Sequence, residues 1–314
     1  MNKEKPKVSV IIPTFNASGF IERQLTSLQN QTIKNVEIIV IDSSSQDGTQ
    51  ENAKALGAEV EIIPREAFDH GATRTRGGEK AQGEILVYLT QDALPADENA
   101  IENLIKPLYE DEKVGASFGR QRPFPDATPF GAHLRLFNYP DKSYIRRLED
   151  KKNYGIKTAF LSNSFAGYRR NALDEIGWFE ENLIFGEDTH AGAKLLQAGY
   201  QIAYAADAVV FHSHNHTVFR EFKRYFDVGV FHRREHWILD TFGKPSGEGL
   251  KYLVSEMKYL SKNKKLLSIP KSMMRNMLKY IAYNLGYNYN GLPRFIVKRL
   301  SLNKDWWNRK AGDR

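Results

Sequence analysis

The 314-residue chain contains no cysteine. A disulfide framework, a thiolate nucleophile and a Cys-ligated metal are therefore excluded, and a reducing compartment is the natural setting. No run of about 18 apolar residues occurs, so no membrane-crossing helix is expected. No apolar segment follows the polar start Met1–Lys7, so no secretory leader is expected either. Phosphate cradles are also missing. No GxGxxG follows the first apolar run and no GxxxxGK[ST] is present, which removes the usual signatures of dinucleotide oxidoreductases and P-loop nucleotide hydrolases. The lack of GxSxG weakens an α/β-hydrolase reading. Internal repeats and low-complexity tracts are absent.

What remains has the composition of a soluble globular protein, 41% hydrophobic and 26% charged, with ample chain to bury a core. Val8–Ile12, Val36–Ile41, Val60–Ile63 and Ile85–Leu89 are short apolar runs bounded by turn residues, which read as buried strands of a mainly parallel sheet. Between the first two, Ile21, Leu25 and Leu28 mark one face of a helix that Ser18 could cap. Asp47–Leu56 reads as a second helix ended by Gly57, Ile101–Tyr109 as a third, and Glu187–Ala198 as a fourth with Gly199 beyond it. Ala208–Phe211 reads as a short strand. Residues 119–158 show no clean period and read as irregular. The alternation predicts an α/β fold, a Rossmann-like sheet flanked by helices, over residues 1–230.

Charge separates the remainder. Residues 251–314 carry 15 Lys+Arg against 3 Asp+Glu, a net of +12. With +7 for the whole chain, residues 1–250 carry 7 − 12 = −5. Residues 231–314 thus form a basic, aromatic, mostly helical extension with an anionic partner in prospect. Ile269, Met273, Met277, Ile281 and Leu285 recur every four residues, and Lys271, Arg275 and Lys279 form a parallel series. With Tyr280, Trp306 and Trp307 this pattern suits a helix lying in an anionic membrane interface. The alternative is a helix packed on the body with a solvated basic face. No recognisable nucleic-acid module is present, so no nucleic-acid partner is expected.

Ligands bind at the carboxyl edge of a parallel sheet. There the chain presents Pro13-Thr14-Phe15-Asn16 after the first strand, Asp42 and Ser43–Thr49 after the second, and Thr90-Gln91-Asp92 after the fourth. Glu187-Asp188 opens a later helix, and His212, His214 and His216 follow the last apolar run. Singly each is weak, since an Asp after a strand is often a turn former and two acids at a helix start satisfy its dipole.

In combination VSVIIPTFNA (8–17), VEIIVIDSSSQDGT (36–49), GEILVYLTQDALP (83–95) and GEDTHAGAKLLQAGY (186–200) resemble family-2 inverting glycosyltransferases of the GT-A fold. FDHGATRTRGG (68–78) and HSHNHTVFREFKRYFDVG (212–229) are similar to the bacterial rhamnosyltransferases among them. The resemblance implies a nucleotide-sugar site formed by Pro13, Thr14, Asn16, Asp42, Ser44, His70, Arg74, Gln91 and Asp92. Within it Asp42 would accept from a pyrimidine N3–H, and Arg74, in preference to Arg76, would pair with diphosphate oxygens. The family's Asp-x-Asp reads Thr90-Gln91-Asp92 here, so Asp92 alone would hold Mn²⁺ or Mg²⁺, joined by His212 with His214 as fallback. Asp188 would be the catalytic base, while Glu187 orients the acceptor. Trp178 would stack on an acceptor sugar or belong to the core.

The implied reaction is transfer of L-rhamnose from dTDP-β-L-rhamnose, with inversion, to a lipid-linked saccharide. The enzyme would sit in the cytoplasm, peripheral to the inner face of the cell membrane, in cell-surface polysaccharide synthesis, with an oligomer permitted. A UDP-hexose donor, or a non-catalytic sugar- or lipid-binding scaffold, is the competing reading.

Overall fold

Four apolar runs become β1 (Val8–Thr14), β2 (Glu37–Asp42), β3 (Glu59–Ile62) and β4 (Ile85–Leu89), parallel and side by side in the order β3-β2-β1-β4. Val10, Ile11, Ile12, Ile39, Val40 and Val87 are wholly shut from solvent, as strands covered on both faces must be. The structure, a computed structural model, describes residues 8–243 and 247–309, so Met1–Lys7 lies outside the described residues. Helices α1 (Ser18–Gln29), α2 (Thr49–Ala55) and α3 (His70–Lys80) make the crossovers, and the short β5 (Leu94–Pro95) precedes α4 (Ala100–Glu110).

Ser18 is not the cap of α1. Ala17 holds that position, and its amide donates to Thr49 Oγ1 at 2.8 Å while the Ser18 amide donates to Asp47 Oδ2 at 3.0 Å. Acceptors from the loop after β2 thus satisfy orphan donors at the start of α1 and tie the two loops together.

Residues 119–158 are far from irregular. They contain the end of β6 (Val114–Arg122), then α5 (Pro129–Asn138), β7 (Tyr144–Arg146) and α6 (Lys151–Tyr154). The α5 start carries ordinary signals, a Thr128 hydroxyl accepting from Gly131 N at 3.3 Å and Pro129 in its first turn. Its buried face meets the distant C-terminal region, which local periodicity cannot reveal.

β8 (Phe165–Arg169) enters antiparallel between β4 and β6, followed by α7 (Arg170–Ile176) and α8 (Glu187–Gln197). β9 (Gln201–Phe211), longer than expected, pairs parallel with β6 and antiparallel with β5 and β7. The resulting mixed sheet runs β3-β2-β1-β4-β8-β6-β9-β5.

α9 (Val218–Arg234) runs through the expected domain boundary at residue 230. It is followed by α10 (His236–Phe242), α11 (Glu248–Lys262), α12 (Ile269–Tyr287), α13 (Arg294–Leu300) and α14 (Lys304–Arg309). α12 lies against α9 at backbone contact. A Cβ on Gly286 would fall 2.0 Å from the Phe226 carbonyl oxygen, and one on Gly229 would fall 2.2 Å from that of Tyr283. Ala282, Val297, Trp306 and Trp307 join the same hydrophobic cluster as Tyr88, Phe118 and Tyr168, so the extension shares the body's core.

This packing overturns the expected basic membrane face. Arg275 and Lys279 are buried, with Arg275 Nη2 2.8 Å from Glu221 Oε2 and Lys279 Nζ 3.6 Å from Glu221 Oε1. Of that series only Lys271 stays exposed. Trp306 and Trp307 are buried as well, and Trp306 Nε1 donates to the Asn182 carbonyl at 2.8 Å. The reason is electrostatic: a buried Glu221 needs cations, and α12 turns its polar stripe inward to supply them. Met273, Met277 and Ile281 consequently face outward. Among the described residues no helix is long and apolar enough to cross a membrane.

Candidate active site

The carboxyl ends of β1, β2 and β4 carry three linked loops. Asp42 ends β2 fully buried. Its Oδ2 accepts from Thr14 Oγ1 (2.8 Å) and Ser45 Oγ (2.6 Å), and its Oδ1 from Ser45 N (2.8 Å) and Gln50 Nε2 (2.7 Å). These four bonds use the carboxylate's full accepting capacity. Asp42 is therefore the anchor of its loop, with each lone pair engaged, and the base contact expected of it requires one of these four donors to move aside. Asn16 and Ser44, at φ +50° and +59°, turn the two loops through the left-handed region. The Asn16 amide donates to Ser45 Oγ at 2.8 Å, and Ser44 Oγ donates to the Ile63 carbonyl at 2.8 Å. Gln91 clasps the peptide of Phe15, accepting from its N–H at 2.7 Å and donating to its carbonyl at 3.2 Å. The half-buried Pro13 completes the turn out of β1.

Next to Gln91 stands the metal-ligand set. Asp92 Oδ1 lies 3.4 Å from His212 Nε2, and Asp92 Oδ2 lies 3.6 Å from His214 Nδ1. The three donor atoms fall within 4.8 Å of one another. An ion bound at about 2.1 Å needs donors only about 3 to 4 Å apart, so small side-chain shifts would seat a divalent cation. Burial lowers the affinity of His212 and His214 for protons, His214 to about 3, leaving both as neutral imidazoles with lone pairs to give. Burial alone would raise the Asp92 pKa, but its polar surroundings outweigh it and hold the carboxyl well below its ordinary range, so Asp92 is an ionised ligand. The His212 Nδ1 contacts Gln121 Oε1 at 2.8 Å. Since that oxygen only accepts, the proton sits on Nδ1 and Nε2 is free to ligate. The donor set fits the expected metal site, with His214 a partner to His212 where the sequence had offered it as a substitute.

One three-residue segment joins this set to the proposed base. Ser162 Oγ accepts from Gln121 Nε2 at 3.0 Å, and the Ser164 carbonyl accepts from Thr90 N at 3.3 Å, two residues from Asp92. Between them the Asn163 amide donates to Asp188 Oδ2 and Asn163 Nδ2 to Glu187 Oε1, each at 3.3 Å. The buried Tyr168 hydroxyl fixes Asn163 Oδ1 at 2.6 Å.

Glu187 and Asp188 open α8 after Gly186, whose φ of +80° a β-carbon would strain. Burial, and then the adjacent Glu187 charge, raise the Asp188 pKa to about 7. Burial would also raise Glu187, but Arg74 and His70 override it and keep that carboxyl ionised. Two adjacent acids are thus driven apart, one a permanent charge and one poised to exchange a proton near neutrality.

Arg74 is buried against Glu187, Nη1 to Oε1 at 3.3 Å, and donates to the His70 carbonyl at 2.9 Å. It therefore braces the acid pair, and its Nε is left without a hydrogen-bond partner. Arg76 pairs with Glu61 on the surface. His70 is half-buried beside this pair, and burial lowers its pKa. Trp178 packs where a Cβ on Gly78 would strike its ring, and Arg170 lies 5.9 Å over it. Arg170 donates to the Ala81 and Gly83 carbonyls near the start of β4, whereas Asp92 follows its end, so Trp178 is a packing residue.

Residues that sequence reasoning missed are Asn163, Gln121, Arg135 and Arg224. Burial lowers the Arg135 pKa, and its Nε has no hydrogen-bond partner. The Arg224 charge acts on His70, His212 and His216 alike, so it bears on the whole cleft. Only Arg224 lay within a quoted motif, FREFKRYF. A pocket walled by Phe20, Arg23, Phe124, Pro125, Ser213 and Asn215 opens directly onto Asp92 and His214.

Comparison with known proteins gives consistent results. The pattern described as "Glycosyl transferase family 2" matches residues 9–177, and "Glycosyl transferase family group 2" matches residues 138–284. The chain is 41% identical over 304 residues to the O-antigen chain rhamnosyltransferase RfbN of Salmonella typhimurium, covering 96% of each chain. It is 40% identical over 305 residues to the O-antigen chain rhamnosyltransferase WbaN of Salmonella anatum, again covering 96% of each. In structure it is similar to a mannosyltransferase from Pyrobaculum calidifontis in complex with GDP-Man and Mn²⁺ (TM-score 0.62, 19% identity, 92% of this chain and 89% of that one). The TarS 1–349 fragment of S. aureus matches at TM-score 0.54 and 16% identity, over 90% and 91% of the two chains.

Proposed function

The chain belongs to glycosyl transferase family 2, and on that footing we propose that it transfers L-rhamnose from dTDP-β-L-rhamnose to a hydroxyl of a lipid-linked saccharide, with inversion, in cell-surface polysaccharide synthesis. The rhamnosyl donor and the acceptor class draw support from the high identity to two O-antigen chain rhamnosyltransferases. The observation that carries the chemistry is the Ser162–Ser164 segment, which ties the buried Asp188 carboxyl to an Asp-His-His cation site.

The loops Thr14–Asn16 and Asp42–Ser45, with His70 and Gln91 nearby, would hold the nucleotide. Rotation of the half-buried Gln50 side chain would release one Asp42 oxygen to accept from thymine N3–H. As the acceptor oxygen attacks the anomeric carbon, its bond to the diphosphate breaks and Asp188 takes the hydroxyl proton. Single displacement of this kind inverts the centre and needs no covalent nucleophile. Charge building on the departing diphosphate is met by Arg135 and Arg224, and a divalent ion, which Asp92, His212 and His214 would hold, would supply further positive charge there. Two imidazole nitrogens favour Mn²⁺ over Mg²⁺, which prefers an all-oxygen shell. Glu187, fixed by Arg74 and Asn163, adds to the rise that burial gives the Asp188 pKa and orients the acceptor. The lipid anchor of the acceptor places the reaction at the cytoplasmic membrane face, with the C-terminal extension toward an anionic bilayer.

A donor panel with Mn²⁺ and a short lipid-linked saccharide analogue, read by mass spectrometry, tests this. Transfer from dTDP-rhamnose is expected. Turnover of a UDP-hexose alone would overturn the donor, and no turnover with any donor would overturn the enzymatic reading in favour of a binding scaffold.

A further inference from the structure

α11 and α12 form a hairpin whose surface inverts the usual order. On α12 Ser272, Arg275, Lys279, Ala282 and Gly286 face inward, while Met273, Met274, Met277, Tyr280 and Ile281 form an exposed stripe at helical spacing. The inward charges are paired, although the buried Arg275 Nε has no hydrogen-bond partner. Glu256 on α11 accepts from Ser272 Oγ and, at 2.8 Å, from Asn276 Nδ2, and Glu221 pairs with Arg275 and Lys279. Turning the stripe inward would strand those acids. At the hairpin tip Leu266 is 60% exposed and Leu267 98%. Between them the tip and stripe expose seven large apolar side chains within residues 266–281, a density that a soluble monomer rarely shows without a partner.

Charge selects the partner. Residues 257–304 contain eleven Lys+Arg and no Asp or Glu. Apart from Arg275 and Lys279 these bases are surface residues, and Lys258, Lys262, Lys264, Lys265 and Lys271 surround the tip. A symmetric pairing of two copies through this face would bring like charges together, since a two-fold contact uses the same patch twice. An anionic bilayer takes both features, lipid phosphates against the lysines and acyl chains against the leucines and methionines.

We infer that the α11–α12 hairpin inserts Leu266, Leu267 and the Met273–Ile281 stripe into an anionic membrane interface, so that the membrane is held by the apolar face and not by the basic residues of α12. The hairpin also braces the cation site. Arg275 Nη2 donates to the His216 carbonyl at 3.1 Å, and the His216 ring stacks on His214 at 4.8 Å. From Leu267 to Arg275 is eight residues, about 12 Å of helix axis. The inserted tip therefore lies a short step from the loop that carries His212 and His214, where an acceptor anchored in the same bilayer would be presented. This inference deepens the lipid-linked acceptor reading and rests on it.

Full-length protein is sedimented with vesicles of phosphatidylcholine alone or mixed with phosphatidylglycerol, at low and high salt, beside the variants Leu267→Glu and Met277→Glu. Both side chains are exposed, so thermal melting should be unchanged, as should transfer to a water-soluble acceptor analogue. Expected are binding to the anionic vesicles that persists in part at high salt, and a roughly tenfold or greater loss in each variant. Variants that bind like the parent, binding abolished outright by salt, or no binding at all would overturn the insertion. A dimer by light scattering that the same variants dissociate would overturn it too, assigning the face to a second copy. Failure of vesicle binding with soluble transfer intact refutes this inference alone. Intact binding with no transfer from any donor refutes the enzymatic reading instead.

Discussion

Asp188→Asn separates two consequences of one electrostatic fact. In the folded chain burial and the Glu187 charge raise the Asp188 pKa from 3.8 to about 7. Between those values the unfolded chain has released the proton and the folded chain has kept it. Stability therefore falls as pH rises toward 7 and is level above it, because the native state binds the extra proton. At about 1.4 kcal/mol per pH unit, the two units from pH 5 to pH 7 cost the parent roughly 2 to 3 kcal/mol. The asparagine variant has no proton to lose at this position. Its stability relative to the parent should rise by that amount between pH 5 and pH 8, measured by urea unfolding at both values. Its turnover should drop by about 10² to 10⁴, the usual worth of a general base. In the parent kcat/KM should climb through an acid limb near pH 7 as Asp188 ionises. A stability difference independent of pH, together with a flat kcat/KM from pH 5.5 to pH 8, would refute both the raised pKa and the assignment of the base.

Gln121→Leu removes the acceptor that holds the His212 proton on Nδ1, so Mn²⁺ affinity by electron paramagnetic resonance titration should weaken about 10- to 100-fold with the melting temperature little changed; unchanged affinity would dismiss the positioning role. Glu221→Leu strands two buried cations and should cost about 3 to 5 kcal/mol by denaturant unfolding, whereas Arg275→Met should cost less, because Lys279 still neutralises Glu221 at 3.6 Å. Equal losses would show that the three charges do not share one network. Trp178→Ala should lower stability by about 2 kcal/mol without moving the acceptor KM, as befits a packing residue; a raised KM would return it to the acceptor site.

Much of the site was legible because turn and strand-end chemistry is local. The run VSVIIP folds as β1 whatever its neighbours do, and the acids after β2 and β4 reach one edge because parallel strands share a direction. The sequence alone therefore determined the parallel half of the sheet and the helices α1, α2, α4 and α8, while the pairing of Asp92 with His212 came from the resemblance and the helix α3 had no reading. Tertiary structure decided the rest, since it depends on partners remote in the chain. Asn163, an asparagine among serines, carries no signal of its own and acquires a role when β8 enters antiparallel beside β4 and faces α8. Arg74 had either a phosphate or a protein acid within its chemistry, and burial beside Glu187 selected the acid. The period of α12 announced two faces but not which would turn inward. Glu221 settled that, because leaving a buried carboxylate unpaired costs more than exposing a row of methionines.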